Sequence, residues 1–258
     1  MIDGGELALE LRSLEKTYIE KKTGRELKVL DGLDLTVARG RLTCVVGPTG
    51  CGKTTLLRVI GGLEMPTSGD VLLDGRPVSG PGPDRGIVFQ EYALFPWRTV
   101  LRNVTFGLNM KGVRGREAAA VADRYLEKVG LTGCDNLYPR ELSGGMKQRV
   151  AIARTLAVEP RILLMDEPFA SLDAQTRNGM QEFLVGLWLE TGVTIVFVTH
   201  SVDEAVFLGQ DIIGFSRRPA RLVERFENTL PYPRRRTDQA FTSLRARILE
   251  YLTREMTE

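Results

Sequence analysis

The sequence predicts an α/β protein built on a mostly parallel, doubly wound sheet. Short apolar runs at 42–46 (LTCVV), 162–165 (ILLM) and 193–198 (VTIVFV) suit strands that are buried on both faces. In the second half of the chain, helical patterns separate these runs, and such alternation is typical of parallel strands joined by crossover helices. The 258 residues are enough for one large domain or for one core with a subdomain.

The first third of the chain is rich in strand patterns. Alternating leucines at 7, 9 and 11, with polar residues between them, predict a half-buried strand, and the same pattern recurs at 33–37. The segment KKTGRE between them predicts a turn. Further short strands are expected at 42–46, 71–73 and 87–89, interrupted by one helix from about Thr54 to Gly62.

From about Trp97 to Ala157 the pattern becomes helical. In the segment REAAAVADRYLEKVG the apolar residues share one helical face, and Gly130 suits the left-handed position just past a helix end. After Pro160 the chain alternates again between strands and helices.

The last third is predicted as strand, helix, strand, helix and then a tail. The strand RILLM leads to a helix over about 174–190, and VTIVFV leads to a helix over 201–208 that begins with a Ser-x-x-Glu capping box. Beyond Arg221 a polar, proline-rich stretch precedes a closing amphipathic helix. Its apolar face is expected to carry Phe241, Leu244, Ile248 and Leu252.

Composition and charge limit the classes of function. The hydrophobic share of 43% and the charged share of 26% are ordinary for a soluble globular protein. Because 35 basic residues face 33 acidic ones, the formal charge of +2 gives no argument for nucleic-acid binding. The local clusters Arg217-Arg218 and Arg234-Arg235-Arg236 are expected to be solvated faces, with a role at anionic lipid or phosphate as the alternative.

The cysteines, the amino end and the lengths of the apolar stretches indicate where the chain is expected to work. The three cysteines have no metal-ligand spacing and no obvious disulfide pairing, which fits a reducing, cytosolic compartment. The amino end carries acids and no apolar core, so we expect no secretory signal there. The apolar stretches are much shorter than the roughly 18 residues of a spanning helix. Any work at a membrane is therefore expected to require docking to a protein that spans it.

The segment GPTGCGKTT follows the strand LTCVV and satisfies G-x-x-x-x-G-K-[ST]. Its glycines let the backbone wrap phosphate oxygens, and the helix that follows adds the partial positive charge of its amino end. Lys53 is expected to reach the β- and γ-phosphates, and the Thr54 hydroxyl to ligate Mg²⁺. A simple glycine-rich turn would not require a strand before it and a helix after it. The predicted site comprises Gly47, Pro48, Thr49, Gly50, Cys51, Gly52, Lys53, Thr54 and Thr55.

The strand ILLM runs directly into two carboxylates, Asp166 and Glu167. Burying an unpaired carboxylate is costly, so these side chains should face a metal, a partner or water. Parallel strands share one carboxyl edge, so Asp166 is expected to approach the Mg²⁺ held by Thr54. Glu167 is then the candidate base for the water that attacks the γ-phosphate. Without the phosphate loop, a surface turn would be the preferred interpretation.

The segment ELSGGMKQRVAIARTLA places two glycines at the start of a strongly helical stretch. A capped helix start, with Ser143 as the cap and Gly144 and Gly145 in a loop, explains the serine but not the glycines. A second phosphate contact explains both. Two copies of the chain would then sandwich two nucleotides, each phosphate loop facing the other copy's Ser143-Gly144-Gly145.

With these motifs in order, the chain resembles the nucleotide-binding subunit of ATP-binding-cassette (ABC) transporters over about residues 7–220. The resemblance implies a P-loop NTPase core with a mostly parallel sheet, an antiparallel β-subdomain and an inserted α-helical subdomain at about 97–157. It assigns residues 1–221 to the nucleotide-binding domain and 222–258 to a tail. It also implies an ATP hydrolase that uses ATP and Mg²⁺.

The resemblance also assigns roles to individual residues. It implies that GPTGCGKT is the Walker A motif, that ILLMDE is Walker B with the catalytic glutamate, and that LSGGM is the signature. It further implies that Gln90 senses Mg²⁺ and the γ-phosphate, that His200 is the switch histidine, and that Tyr18 stacks on adenine. The SLD segment ending at Asp173 would contact the opposite site. Met146 replaces the commoner glutamine of the signature, with little expected loss because Ser143 and backbone N–H groups do most of the binding.

The chain resembles the importer ATPases of the nitrate, sulfonate and taurine group in three places: the segment EYALFPWRTVLRNVTFGL (91–108), the LSGGM sequence and the tail. The apolar residues of segment 91–108 either pack under the helical subdomain or form a groove for a short helix of a membrane subunit. This resemblance implies a homodimer at the cytoplasmic face of the membrane, bound to a permease and served by an extracytoplasmic solute-binding protein. An exporter ATPase, a soluble non-transport ABC protein and a nucleotide-binding regulator are the alternatives.

Overall fold

The computed structural model describes residues 6–20 and 22–257. The chain divides into two compact units. The first takes the described residues up to Gly82 together with those from Val193 onward, and the second is Pro83–Gly192.

The amino-terminal part of the first unit contains six elements. In chain order they are β1 (Leu7–Ile19), β2 (Glu26–Ala38), β3 (Leu42–Val46), α1 (Lys53–Ile60), β4 (Ser68–Leu73) and β5 (Arg76–Pro77). An antiparallel sheet has the order β2-β1-β4-β5. In β1 the side chains of Leu9 and Leu11 are buried, whereas Glu10 and Arg12 form an ion pair with each other. The alternation in the sequence therefore predicted the buried face correctly.

The second unit contains β6 (Arg85–Val88), α2 (Val100–Met110), α3 (Gly115–Lys128), α4 (Gly144–Leu156), β7 (Ile162–Asp166) and α5 (Ala174–Thr191). The strands β6 and β7 pair in parallel. Helices α2, α3 and α4 pack on one another, which agrees with the helical stretch predicted from the pattern. Gly130 has φ +66° just past α3, as its position predicted.

The chain then returns to the first unit with β8 (Thr194–Val198), α6 (Val202–Leu208), β9 (Asp211–Phe215), β10 (Leu222–Glu227) and α7 (Gln239–Thr257). In this unit β3 pairs in parallel with both β8 and β9, and β10 adds antiparallel to β9. Every residue of β3, β8 and β9 is buried, as expected of strands covered on both faces. The predicted α/β class, with a mostly parallel sheet and an antiparallel subdomain, is confirmed.

The carboxyl-terminal part differs from the sequence prediction in two respects. Neither β9 nor β10 was predicted, so residues 211–215 and 222–227 extend the sheet before the polar stretch begins. In α7 the buried face is shared by Phe241, Leu244 and Ile248 as expected, but Leu252 is only half-buried and Tyr251 is buried beside it. No helix among residues 6–20 and 22–257 is long and apolar enough to span a membrane.

Candidate functional site

The phosphate loop connects β3 to α1 in the first unit. Gly50 and Gly52 have φ +75° and +129°, a backbone region that only glycine adopts readily. Gly52 is also the N-cap residue of α1, and no side chain caps this helix. A helix amino end without a side-chain cap, preceded by a glycine-rich loop, is an arrangement suited to binding phosphate.

Lys53 is the first residue of α1 and only 5% exposed. Its Nζ donates hydrogen bonds to the Gly47 carbonyl oxygen at 2.8 Å and to the Pro48 carbonyl oxygen at 3.0 Å. The ammonium group is therefore held inside the curve of the loop. Burial raises the pKa of the neighbouring Cys51 thiol, so this cysteine is a neutral packing residue of the loop rather than a nucleophile.

Tyr18 lies near the end of β1 in the same unit as the phosphate loop. Its hydroxyl donates a hydrogen bond to the Glu64 carboxylate and lies 3.4 Å from the Thr55 hydroxyl oxygen. Burial, and then this bond to Glu64, raises the pKa of Tyr18, so the phenol stays protonated. The structure thus brings Tyr18 next to the last residue of the phosphate loop.

His200 follows β8 and is exposed. Because β8 pairs in parallel with β3, with Val198 opposite Val45, His200 and Gly47 lie past the same edge of this sheet. The flanking backbone is fixed by side chains. The Thr199 hydroxyl donates to the buried Glu204 carboxylate, and the Glu204 N–H donates to the Ser201 hydroxyl oxygen at 3.3 Å. Ser201 therefore caps α6 as predicted, but its own N–H donates to the Thr199 hydroxyl oxygen and not to Glu204.

In the second unit the strand β7 presents the two predicted carboxylates. Residues 162–165 are fully buried, and Asp166 at the end of the strand is half-buried. Glu167 has φ +46°, a conformation that costs a residue with a side chain roughly 1–2 kcal/mol. Since Val88 of β6 pairs with Met165, Gln90 leaves the same edge of this strand pair. Gln90, Asp166 and Glu167 are therefore neighbours at one edge, and the strain at Glu167 is typical of a functional position.

The signature glycines open α4, as the helical pattern predicted. Ser143 caps α4, with its hydroxyl oxygen accepting the Met146 N–H at 3.3 Å. Gly144 and Gly145, however, are the first residues of the helix and do not lie in a loop. A Cβ on Gly144 would come within 3.0 Å of the Tyr92 hydroxyl, and one on Gly145 within 2.8 Å of a methyl carbon of Thr176. Close packing therefore favours glycine at position 145, whereas a side chain at position 144 would require only a small shift of the end of the Tyr92 side chain.

Asp173 caps the amino end of α5, as Ser143 caps that of α4. Its Oδ1 accepts the Thr176 N–H at 3.0 Å, and the hydrogen bonds from this helix end lower the pKa of Asp173. The hydroxyls of Tyr92 and Ser171 lie 3.3 Å apart. The segment after Gln90, the signature and the segment ending at Asp173 therefore meet within the second unit.

A cavity of about 690 Å³ lies beside the segment after Gln90 and is lined by Tyr92, Leu94, Lys147 and Ser171, among others. Phe95 packs against Phe106, with ring centroids 4.7 Å apart, whereas Trp97 remains 71% exposed. The apolar residues of this segment thus divide between the two predicted interpretations. Phe95 is a packing residue, and Trp97 remains available for a partner.

Sequence reasoning missed the residues that shape this segment. Asn103, fully buried, donates from its amide nitrogen to the Phe95, Arg98 and Thr99 carbonyl oxygens and accepts the Phe95 N–H at 2.9 Å. The Arg154 guanidinium donates to the Tyr92 and Ala93 carbonyl oxygens. The available signal was a polar side chain on the otherwise apolar face of each helix.

Three relatives illustrate the similarity at the level of sequence. An ABC transporter ATP-binding protein of Methanocaldococcus jannaschii, described as uncharacterized, is 51% identical over 97% of this chain and 94% of its own length. The nitrate import ATP-binding protein NrtD of Synechocystis sp. is 47% identical over 86% of this chain and 83% of its own. The aliphatic sulfonates import ATP-binding protein SsuB of Bacillus subtilis is 42% identical over 94% and 93%.

At the level of structure, a dimeric ATP-binding cassette solved with ADP and Pi superposes with a TM-score of 0.75. It is 32% identical and covers 86% of this chain and 100% of that chain. The profile of the ABC transporter family matches residues 30–170. The chain belongs to the ABC transporter family, in which it is an ATP-binding subunit with the activity of an ATP hydrolase.

Proposed function

We propose that this chain is the ATP-hydrolysing subunit of an ABC-type importer, coupling ATP binding and hydrolysis to the uptake of a small solute. The observation that carries this proposal is the identity of 47% and 42% to ATP-binding proteins named for import of nitrate and of aliphatic sulfonates. Both identities extend over more than four fifths of each chain. The same similarity supports a small anion such as nitrate, a sulfonate or taurine as the class of solute.

In the first unit, the loop from Gly47 to Thr55 binds the phosphates of ATP. Lys53 reaches the β- and γ-phosphates from its position inside the loop, and the uncapped N–H groups of α1 supply donors without rearrangement. Tyr18 stacks on adenine. Its hydroxyl bond to Glu64 holds the ring in place before the nucleotide arrives, which reduces the entropy lost on binding.

Thr54, Gln90 and Asp166 are assigned as the magnesium ligands. They offer a hydroxyl, an amide and a carboxylate oxygen, which are hard donors of the kind that Mg²⁺ prefers. Within residues 6–20 and 22–257 the structure assembles no group of three or more His, Cys, Asp and Glu side chains for a metal. This agrees with Mg²⁺, which takes one or two carboxylates and completes its shell with water and substrate phosphates. When bound, the ion neutralises charge that develops on the transferred phosphoryl group.

Glu167 is assigned as the base that orients and deprotonates the attacking water. Its left-handed backbone at the end of β7 fixes where the side chain leaves the strand. Gln90 and His200 complete the catalytic set, Gln90 through the metal and the γ-phosphate and His200 through the γ-phosphate.

Two copies of the chain form the active assembly. Ser143, Gly144, Gly145 and Met146 of one copy contact the nucleotide held by the other, and Asp173 contacts the opposite site. The amino end of α4 supports this assignment, because its partial positive charge favours an anion. The dimeric form of the solved cassette bound to ADP and Pi gives further support.

The remaining partners follow from the importer assignment. The exposed Trp97 and the cavity beside Tyr92 support docking of a permease helix onto the segment after Gln90. The assembly would lie peripherally at the cytoplasmic face of the membrane. A solute-binding protein outside the membrane would deliver the solute to the permease.

The experiment that tests the proposal uses Glu167→Gln, which keeps the size of the side chain and removes the base. We expect ATP binding to be retained and turnover to fall by about two orders of magnitude or more, measured as phosphate release. In cells lacking the native gene, the wild-type chain should restore uptake of labelled nitrate or sulfonate, and Glu167→Gln should not.

Two outcomes would contradict the proposal separately. Unchanged phosphate release in Glu167→Gln would remove Glu167 from the role of base. Magnesium-dependent ATPase activity without any effect of the gene on uptake would retain the enzyme and reject the importer.

A further inference from the structure

The carboxyl-terminal segment of the first unit contacts one end of α6, the helix that begins two residues after His200. Three side chains make these contacts: Asn228, Tyr232 and Arg234, which we name the tail clamp. Arg234 is only 6% exposed, so the expectation that the run of three arginines is a solvated face was wrong for this residue. Its buried charge therefore requires an explanation.

The last carbonyl groups of α6 all accept hydrogen bonds from the tail clamp. Arg234 donates to the carbonyl oxygens of residues 206, 207 and 209 at 2.8, 3.1 and 2.8 Å. Asn228 donates to those of 206 and 209 at 2.8 and 2.9 Å, and the Tyr232 hydroxyl donates to that of 208. The carbonyl groups that a helix end leaves without backbone donors are thus satisfied from a segment about twenty residues further along the chain.

The chemistry of the clamp suits a helix carboxyl end. The guanidinium is a permanent cation with several donors in one plane, and it lies where the helix dipole is negative. Its carbon lies 4.0 Å from the centroid of the Tyr232 ring, so the aromatic face covers the side not used for hydrogen bonds. Burial raises the pKa of Tyr232 to about 12, and its hydroxyl therefore remains a donor at all physiological pH values.

The same carboxyl-terminal region also holds the amino end of α6. Arg245 of α7 pairs with Asp203 in the first turn at 3.0 Å. At the other end of the helix, the Arg236 guanidinium lies 4.0 Å from the centroid of the Phe207 ring. With only seven residues, α6 is too short to be stable by itself. Its position is therefore set by its contacts, and the tail and α7 contribute contacts at both ends.

The link from α6 back to His200 is short and rigid. The buried Thr199 hydroxyl is bound to the buried Glu204, which lies in the first turn of α6. The Ser201 N–H also donates to the Thr199 hydroxyl oxygen at 2.9 Å. Residues 199–201 are therefore bonded to the first turn of α6 and, through the Thr199 N–H and the Val45 carbonyl oxygen at 3.2 Å, also to β3. His200 lies in the middle of them.

We propose that the tail clamp positions His200 for ATP hydrolysis by fixing α6 from its carboxyl end, with Arg234 as the principal positioning residue. This inference rests on the proposed catalytic role of His200. Arg234 itself touches neither nucleotide nor metal. Its removal should leave ATP binding intact and lower the rate of the chemical step, because a displaced catalytic group slows the reaction without weakening contacts to the substrate.

The test compares Arg234→Met with the matched control Arg235→Met, whose arginine is exposed in the structure. We expect Arg234→Met to lower kcat by about 10-fold or more while KM for ATP stays within about 2-fold of the wild-type value. Amide hydrogen exchange over residues 199–209 should become faster in the same variant. Arg235→Met should resemble the wild-type chain in all three measurements.

Coupling to His200 is measured by combining Arg234→Met with His200→Ala. If Arg234 acts through His200, the double variant should have the turnover of His200→Ala alone. The proposal is overturned if Arg234→Met lowers turnover by the same factor in the His200→Ala variant as in the wild-type chain. It is also overturned if Arg234→Met alone has the wild-type kcat. Should Arg234→Met not fold, Tyr232→Phe removes one donor and keeps the ring, and an unchanged kcat there would equally overturn it.

The outcome for His200 can be separated from the outcome for the clamp. If His200→Ala turns over at the wild-type rate, the proposed role of His200 fails, whatever the exchange data show. If His200→Ala is slow but Arg234→Met changes neither kcat nor exchange, the role of His200 stands and the clamp proposal fails.

Discussion

Two helix amino ends carry the glycines of the proposed site, and they use those glycines for different physical reasons. At α1, Gly50 and Gly52 adopt positive φ angles, and no side chain caps the helix. At α4, neither glycine has a positive φ, and the Ser143 hydroxyl caps the helix. The first glycines serve backbone conformation, and the second ones serve the close approach of neighbouring side chains.

This difference separates two ways of preparing a helix end for an anion. In the phosphate loop the backbone itself is shaped, so the requirement for glycine is local and cannot be relieved by changing a neighbour. In the signature the helix is regular, and the requirement comes from Tyr92 and Thr176, which other elements supply. The requirement at α4 should therefore respond to changes in those neighbours, and the two helix ends can be distinguished by rescue.

The largest effect is expected for Gly52→Ala. A Cβ at φ +129° is strained whatever the space, and it would also meet Val29 at 2.9 Å. We expect a loss of about 1–3 kcal/mol in the free energy of unfolding, measured by denaturant titration, and loss of ATP binding. Adding Val29→Ala should not restore binding, because the strained φ remains. Recovery in that double variant would show that space, not conformation, sets the requirement.

An intermediate effect is expected for Gly145→Ala, which places a Cβ 2.8 Å from a Thr176 methyl carbon. Here Thr176→Ser should rescue, because it removes that methyl group and keeps the backbone N–H that Asp173 caps. The double variant should reach at least wild-type thermal stability, since alanine favours a helix over glycine by about 1 kcal/mol. Stability that recovers without recovery of ATP turnover would show that Gly145 is required for the proposed nucleotide contact as well as for packing.

The smallest effect on stability is expected for Ser143→Ala, with Thr99→Ala as its matched control. Both hydroxyls cap helices, Ser143 at α4 and Thr99 at α2, so each variant should lose about 1 kcal/mol of unfolding free energy. Only Ser143→Ala should also lower ATP turnover, because only that hydroxyl is proposed to contact a nucleotide. Equal turnover in the two variants would reduce Ser143 to a helix cap.

Much of the fold could be predicted because the relevant signals are local. The strand at 42–46 was predicted with its observed bounds, since a short run that is apolar apart from Thr43 suits a strand covered on both faces. The Ser201 cap of α6 and the glycine after α3 were also predicted correctly, because each depends on residues within one turn. The reciprocal bond of a capping box was not, since the Ser201 N–H donates to Thr199 instead. The strand β10 was missed because LVERFE mixes charges with apolar residues, and only its pairing with β9 orders it as a strand.

In the candidate site, too, the features that depend on local sequence were predicted and those that depend on distant segments were missed. The loop from Gly47 to Thr55 could be proposed as a phosphate site from its spacing, because phosphate binding by backbone requires glycines at fixed offsets in one segment. Asn103 and Arg154 were missed, since their importance lies in carbonyl groups of a loop formed elsewhere in the chain. Their polarity alone did not indicate which backbone groups they would satisfy.

The sequence by itself determined most of the strands and helices in their order, the motif from Gly47 to Thr55 and the family, because these depend on short-range patterns of residue type. The tertiary structure alone decided which of three adjacent arginines is buried and which neighbours restrict the two glycines of a regular helix. Arg234 is chosen by the carbonyl groups at the end of α6, and Gly145 by a methyl group of Thr176. Both depend on distances between segments that lie far apart along the chain, and residue spacing does not encode such distances.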